Sequence, residues 1–272
     1  MPPGDLAGSD FWNSLWGEKP EERREIGSPD LRHWEIPHAE LFDRAFSLAG
    51  DPRGKEILEV GAGDSGWLPY FSKRWGLRVT GLDYSPNGCR RAHALVQRAG
   101  TAAHIVLADL FDPPESLLGR FDFVLSIGVV EHYADTAATL RAMARFLRPG
   151  GILITTAPNI PGLAGDLMKV MNRPLYDIHV PIDAQAMRRA HEAAGLEVVE
   201  GGYFMSINLG IPSVAGLRPG IGTRLKSIAI LGMIAFSRMV WWLERRVARL
   251  PPHRYFAPYV AVIARSTAAA SP

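Results

Sequence analysis

The chain has 272 residues, 47% hydrophobic and 21% charged, with a net charge of +2. That length buries a substantial core in one large domain, or one domain with an added subregion, and the composition excludes global disorder. A charge this near neutral argues against a nucleic-acid partner, and the lone Cys89 excludes an intrachain disulfide and leaves no thiol cluster for a metal, so none is expected.

The chain opens without a basic region followed by an apolar run, so no signal peptide is expected and the cytoplasm is the expected compartment. Residues 1–30 are rich in Pro, Gly and Glu around Phe11, Trp12 and Trp16, and read as a mobile end followed by a short helix able to close over a pocket. Leu41, Phe42, Ala45, Phe46 and Leu48 give helical spacing over residues 38–49, which Gly50-Asp51-Pro52 stops. Strand signals follow at 56–60, 78–82, 104–108, 121–126 and 151–157, separated by helical stretches near 66–75, 86–99 and 136–147. That alternation predicts parallel β-α-β units in a doubly wound α/β sheet. After Pro158 the rhythm loosens to a helix at 183–194 and strands at 196–203 and 259–265, seven strands in all. The expected division is an N-terminal helical cap (1–50), a core (51–204 and 256–272) and a helical insertion (205–255) before the last strand.

Ligands of such sheets bind beyond the carboxyl ends of the strands, where the winding reverses. The first strand ends in Glu59-Val60-Gly61-Ala62-Gly63-Asp64-Ser65-Gly66, a turn whose glycines allow close approach of a ligand to the backbone. The second ends in Asp83-Tyr84, a carboxylate about twenty residues on, where an acid can accept both ribose hydroxyls of a nucleoside. The third ends in Asp109-Leu110, a carboxylate able to accept from an adenine amino group beside an apolar contact for the ring. The fourth ends in Ile127-Gly128-Val129-Val130-Glu131-His132, and Leu147-Arg148-Pro149-Gly150-Gly151 precedes the fifth.

This series, over about residues 55–160, resembles the class I S-adenosylmethionine-dependent methyltransferases, particularly their small-molecule enzymes. The resemblance implies a Rossmann-like, mainly parallel seven-stranded sheet with S-adenosylmethionine as cofactor. Gly61 and Gly63 would pass the methionine moiety with Glu59 behind the loop, Asp83 would hold the ribose, and Asp109 and Leu110 would frame the adenine. Ala62, Tyr84 and Ile127 would complete the cofactor contacts. Asp64-Ser65 departs from the family's usual pair and bears on the contact near the methionine amino group. A nicotinamide-dependent enzyme is the competing reading, since Gly61, Gly63 and Gly66 fit Gly-x-Gly-x-x-Gly literally. It leaves Asp109 and Glu131-His132 without a task.

A methyl already activated as a sulfonium asks the protein to align a nucleophile and exclude water. Where a hydroxyl or amine must also lose a proton, histidine is the natural base. The candidates are His132, by family position near the mouth of the site, and His179, after the fifth strand, with His33 and His38 in the cap behind them. A loop-ordering role for His132, with proximity alone sufficing for catalysis, is the alternative.

The insertion carries eight basic residues against one acid, Glu244. The stretch 221–250 reads as a helix that is apolar nearly all round its middle and basic at both ends. The apolar run 228–243, at 1.5 Å per residue, measures about 24 Å, short of the roughly 30 Å hydrocarbon core, so a membrane span is not expected. A helix partly buried against the sheet, a lid over the acceptor pocket, a homodimer contact, and peripheral membrane contact through 224–250 all stand as readings. With Trp12, Trp16 and Trp34 in the cap, the insertion points to a hydrophobic or lipid-like small-molecule acceptor. O-methylation of a hydroxyl is expected; the alternatives are N-methylation of a small amine, or a non-catalytic nucleoside-binding module recruited to a membrane or partner by the basic helix.

Overall fold

A computed structural model describes residues 4–17, 25–27 and 30–267. Its elements are α1 (Ser9–Trp16), α2 (Glu35–Ser47), β1 (Glu56–Val60), α3 (Trp67–Trp75), β2 (Arg78–Asp83), α4 (Pro86–Arg98), β3 (Ala103–Leu107), β4 (Phe121–Ile127) and α5 (Thr136–Ala144). They continue with β5 (Leu147–Pro158), α6 (Leu163–Met171), α7 (Arg173–Asp177), α8 (Ala184–Ala193), β6 (Leu196–Phe204), α9 (Ile221–Glu244) and β7 (Tyr259–Ser266). All seven expected strands form. The short helices α6 and α7 had no distinct signal, because they wrap the loop after β5 without a sustained apolar period.

The strands lie in one sheet of order β3-β2-β1-β4-β5-β7-β6, with β7 antiparallel to both neighbours and the remaining pairs parallel. The winding reverses between β1 and β4, so the loops after these strands face one crevice. Leu58, Val124 and Leu125, on the two central strands, are fully buried, as strands covered on both faces require.

Helices α2 and α3 cover one face. Phe42, Phe46 and Phe71 are buried to 1% exposure or less, and the Phe46 ring lies 4.7 Å from that of Phe123 on β4. Burying one such phenylalanine contributes about 1.5–3 kcal/mol, so α2 is part of the core rather than a loose cover. Helices α5 and α8 cover the other face through Leu140, Met143 and Met187. Two caps set helix starts beside the crevice. Ser85 Oγ accepts the Gly88 N–H at 3.0 Å with Pro86 in the first turn of α4, and Asp135 caps α5.

The insertion departs most from expectation. Helix α9 is one continuous run of 24 residues, about 36 Å at 1.5 Å per residue. It is therefore longer than the apolar run alone indicated, and by length and composition it could cross a membrane. Ile230 and Ser237 are buried on it and Trp241 packs against the core, so one side of the helix is partly buried while much of the rest is exposed.

Candidate active site

A cavity of about 780 Å³ opens at the carboxyl ends of β1, β2 and β4, within the roughly 300–1,000 Å³ range of small-molecule sites. Its floor is the β1–α3 turn. Gly61 has φ +75°, and a Cβ there would meet Val129 Cγ2 at 2.5 Å; a Cβ on Gly63 would meet Asp83 Oδ2 at 2.7 Å and Gly88 Cα at 3.0 Å. Both glycines are thus required first by the protein's own packing, which draws the loop onto the tips of β2 and β4. Asp83 organises that junction: its Oδ2 accepts the Gly63 N–H and its Oδ1 the Ser85 N–H, each at 2.7 Å. Burial pushes the Asp83 carboxyl up, against the pull of these backbone donors.

Glu59 lies behind the turn, 2% exposed and lining the cavity. Burial pushes its carboxyl up to about 8, with Ser65 as an opposing hydrogen-bond partner. Its Oε2 has no hydrogen-bond partner among the described residues. Asp64, in the left-handed region at φ +68°, pairs with Arg91 at 3.1 Å, both side chains buried. Arg91 also donates to the Trp16 carbonyl at 2.8 Å. Asp64 therefore ties the β1–α3 turn to α4, and Arg91 carries the tie on to the end of α1.

Helix α1 roofs the site. Ser85 donates to Asn13 Oδ1 at 2.7 Å, the Asn87 amide donates to the Asn13 carbonyl at 2.8 Å, and Tyr84 donates to Asp5 at 3.1 Å. The Leu6 N–H donates to the His132 carbonyl at 2.9 Å. Trp12, Trp16 and Trp34, expected as pocket walls, line the cavity together with Trp67 and Tyr133. Part of the expected N-terminal cover, residues 18–24, lies outside the described residues.

At the far wall His132 meets the Trp12 ring edge-on at 5.0 Å. Its Nδ1 lies 3.0 Å from the Ile178 carbonyl, which can only accept, so Nδ1 carries the proton and Nε2 is the free acceptor. Burial holds His132 down at about 4, with neighbouring His179 in the same direction. His179 repeats the arrangement, Nδ1 to the Leu175 carbonyl at 2.6 Å, and the two rings are 4.5 Å apart. Glu131 Oε1 is 3.9 Å from His132 Nε2, and burial raises this carboxyl to about 8. Glu131, His132 and His179 each offer a donor atom within 4.8 Å of the others, a spread that a divalent cation could bridge.

Of the expected site residues, Glu59, Gly61, Gly63, Asp83, Tyr84, Ile127 and His132 line the main cavity. His179 stands one ring behind His132. Ala62 is packed under the loop, 1% exposed. Leu110 lines a satellite cavity of about 30 Å³ that also touches Gly61 and Asp83. Asp109 lines neither, and its Oδ1 accepts the Phe111 N–H of its own turn at 2.9 Å. His38 is buried behind the cavity wall, against Trp34, Trp67 and Phe204, and is not itself a lining residue; His33 faces Trp241. Sequence reasoning missed Tyr133, whose only signal was adjacency to Glu131-His132, and the Asp64–Arg91 pair, which spans two elements. Cys89 packs toward the Asp83 carbonyl, and burial pushes its thiol up to about 12, so it is no nucleophile.

The strand order, the acid-bound glycine turn and the cavity at the switch point define an S-adenosylmethionine-dependent methyltransferase of class I. A family model described as a methyltransferase domain matches residues 33–201, and the chain belongs to that family. It is 34% identical over 167 residues to a ubiquinone biosynthesis O-methyltransferase of Aeromonas salmonicida, covering 58% of this chain and 69% of that one. It is 26% identical over 161 residues to the chloroplastic tocopherol O-methyltransferase of Arabidopsis thaliana, covering 54% of this chain and 45% of that one. Among solved structures, the geranyl diphosphate C-methyltransferase of Streptomyces coelicolor superposes with a TM-score of 0.54 at 16% identity, over 95% of this chain and 96% of that one. At that identity the likeness is one of fold.

The residues present fit the cofactor. Glu59 lines the cavity and holds a buried carboxyl oxygen without a partner among the described residues, and each Asp83 oxygen retains a lone pair beyond its backbone bond. The chemistry that S-adenosylmethionine supplies is an electrophilic methyl group.

Proposed function

We propose that this methyltransferase methylates a hydroxyl on a hydrophobic, lipid-like small molecule, with His132 as general base. The observation that carries this is the neutral, proton-accepting Nε2 of His132, fixed by Ile178 against the Trp12 edge of a tryptophan-walled cavity. The O-methyltransferases of ubiquinone and tocopherol biosynthesis among the relatives support an oxygen acceptor. Trp12, Trp16 and Trp34 exclude water and bind the acceptor's apolar body; His132 takes the hydroxyl proton. His179, 4.5 Å away, is a positioning neighbour that disfavours a second charge on the pair. Glu59, Gly61, Gly63, Asp83, Tyr84 and Ile127 hold the cofactor, with Leu110 at the satellite cavity on its adenine side and Asp109 in the turn beside it.

The test incubates the protein with labelled S-adenosylmethionine and a lipid-soluble metabolite extract and identifies the labelled product by mass. An O-methylated lipophilic product is expected; a labelled amine, or no transfer to any extract, overturns the proposal. With that product, His132→Gln should lower kcat by about 10²-fold or more with unchanged S-adenosylhomocysteine affinity. Activity should survive chelation by EDTA. Loss on chelation with recovery on Mg²⁺ would hand Glu131, His132 and His179 to a cation and overturn the base assignment.

A further inference from the structure

One side of α9 is occupied by the protein itself. Ile230 and Ser237 are buried, the Leu209 N–H donates to Ser237 Oγ at 2.9 Å, and the Trp241 indole N–H donates to the Ile207 carbonyl at 2.8 Å. With Ile234, which lies against Gly210, these residues recur at spacings of four, three and four, a single stripe along the helix. At about 100° per residue, Ile221, Leu225, Ile228, Met239 and Trp242 fall on the opposite side. All five are exposed, Ile221 by 81% and Ile228 by 64%. A surface helix needs one apolar stripe toward its body; the second has no partner among the described residues.

Charge distribution indicates what covers it. Two cations fall between Leu225 and Leu243: the Lys226 ammonium turns away to the Met171 carbonyl at 2.7 Å, and Arg238 sits on the flank by helical phase. The others gather at the ends, Arg218 and Arg224 about its start and Arg245 and Arg246 past it, while Arg249 is held by Glu40. The Arg246 guanidinium lies 3.9 Å from the centre of the Trp242 ring, a cation paired with an amphipathic aromatic at the helix end.

We propose that α9 docks this protein on an anionic lipid bilayer, lying in the plane of the interface with its outer stripe among the acyl chains and its terminal arginines at the headgroups. Its length does not make it a span. The inner stripe is fastened to the folded body at Lys226, Ser237 and Trp241, and Arg249 beyond it forms a two-pronged ion pair with Glu40 at 2.6 Å. A spanning helix would have to break these bonds and strand Lys226 in hydrocarbon. On the inner side Trp241 faces His33, next in sequence to Arg32 of the cavity lining. If the acceptor is lipid-like, as proposed above, docking sets the pocket wall against the phase that holds it.

The test floats the full chain with vesicles of phosphatidylcholine alone or containing phosphatidylglycerol. Binding to the anionic vesicles should exceed binding to the neutral ones at least about tenfold and fall with added salt. Leu225→Gln/Ile228→Gln/Met239→Gln should abolish flotation while S-adenosylhomocysteine affinity stays unchanged, so a failure of docking is read separately from a failure of O-methylation. Three outcomes overturn the proposal: no flotation of the native chain, a dimer by light scattering that the triple variant splits without any flotation, or resistance to alkaline carbonate extraction, which would mean a span.

Discussion

Asp83→Asn keeps the side-chain shape and removes one acceptor from the centre of the cofactor loop. In the native turn the two carboxylate oxygens each accept one backbone N–H at 2.7 Å, from Gly63 and Ser85. An amide has one oxygen, so one of these donors faces an NH₂ whichever way the group is turned. A hydrogen bond to a charged group contributes about 1.5–3 kcal/mol, and a buried donor left against a donor adds its own desolvation. Part is offset, because burial already disfavours the ionised Asp83. A net loss of about 2 kcal/mol lowers Tm by about 4–8 °C for a chain of this size. Affinity for S-adenosylhomocysteine should fall at least about tenfold, or about 1.4 kcal/mol, since the same carboxyl lines the cavity. Gly63→Ala is the companion, because its methyl would stand 2.7 Å from Asp83 Oδ2 and displace the acid without altering its chemistry. Overpacking of that kind costs about 1–3 kcal/mol. Thermal melting and isothermal titration read both variants. Native Tm and native affinity in Asp83→Asn would refute the view that this acid organises the loop.

Two further outcomes are expected. Glu59 and Glu131 hold their protons to about 8 in the fold but ionise near the ordinary 4.5 when unfolded. The folded state therefore binds more protons across that window, and stability falls as pH rises through it. The buried histidines His38, His132 and His191, held down at about 4, act in the opposite sense below 6.5. Between pH 6.5 and 8 the glutamates act alone among these groups, each removing on the order of 2 kcal/mol; the Tm of the cofactor-free protein should decline there, and Glu59→Gln/Glu131→Gln should flatten the slope. An equal slope in the double variant would show that other groups set it. Arg91→Met breaks the buried pair with Asp64 and the tie to Trp16, a loss of about 3–5 kcal/mol, and should expose α1 to protease. Adding Asp64→Gly removes the acid that Arg91 faced and suits φ +68°, so the double variant should melt above Arg91→Met; a lower Tm would locate the role of Asp64 elsewhere.

The seven strands and the cofactor loop were legible because each is encoded locally. Short apolar runs such as Ile57-Leu58 mark strands buried on both faces, and glycines and acids at their ends mark tips that must turn and bind. Burial at those positions follows from period and composition alone. The satellite location of Leu110 and the inward-turned carboxyl of Asp109 were not legible, since a turn residue's side chain is aimed by local bonds that strand spacing does not encode.

By itself, then, the sequence determined a doubly wound sheet with Glu59, Gly61, Gly63 and Asp83 at its strand tips, because the alternation of strands and helices and the chemistry of the tips are written in short stretches of chain. Only the tertiary structure decided that α1 roofs the site through Asn13 and Trp16, that His132 and His179 stand 4.5 Å apart, and that α9 turns one apolar side to the body and the other outward. Hydrophobicity records that a side chain avoids water, not which surface covers it. That choice rests on contacts between elements far apart in sequence, where no local pattern reaches.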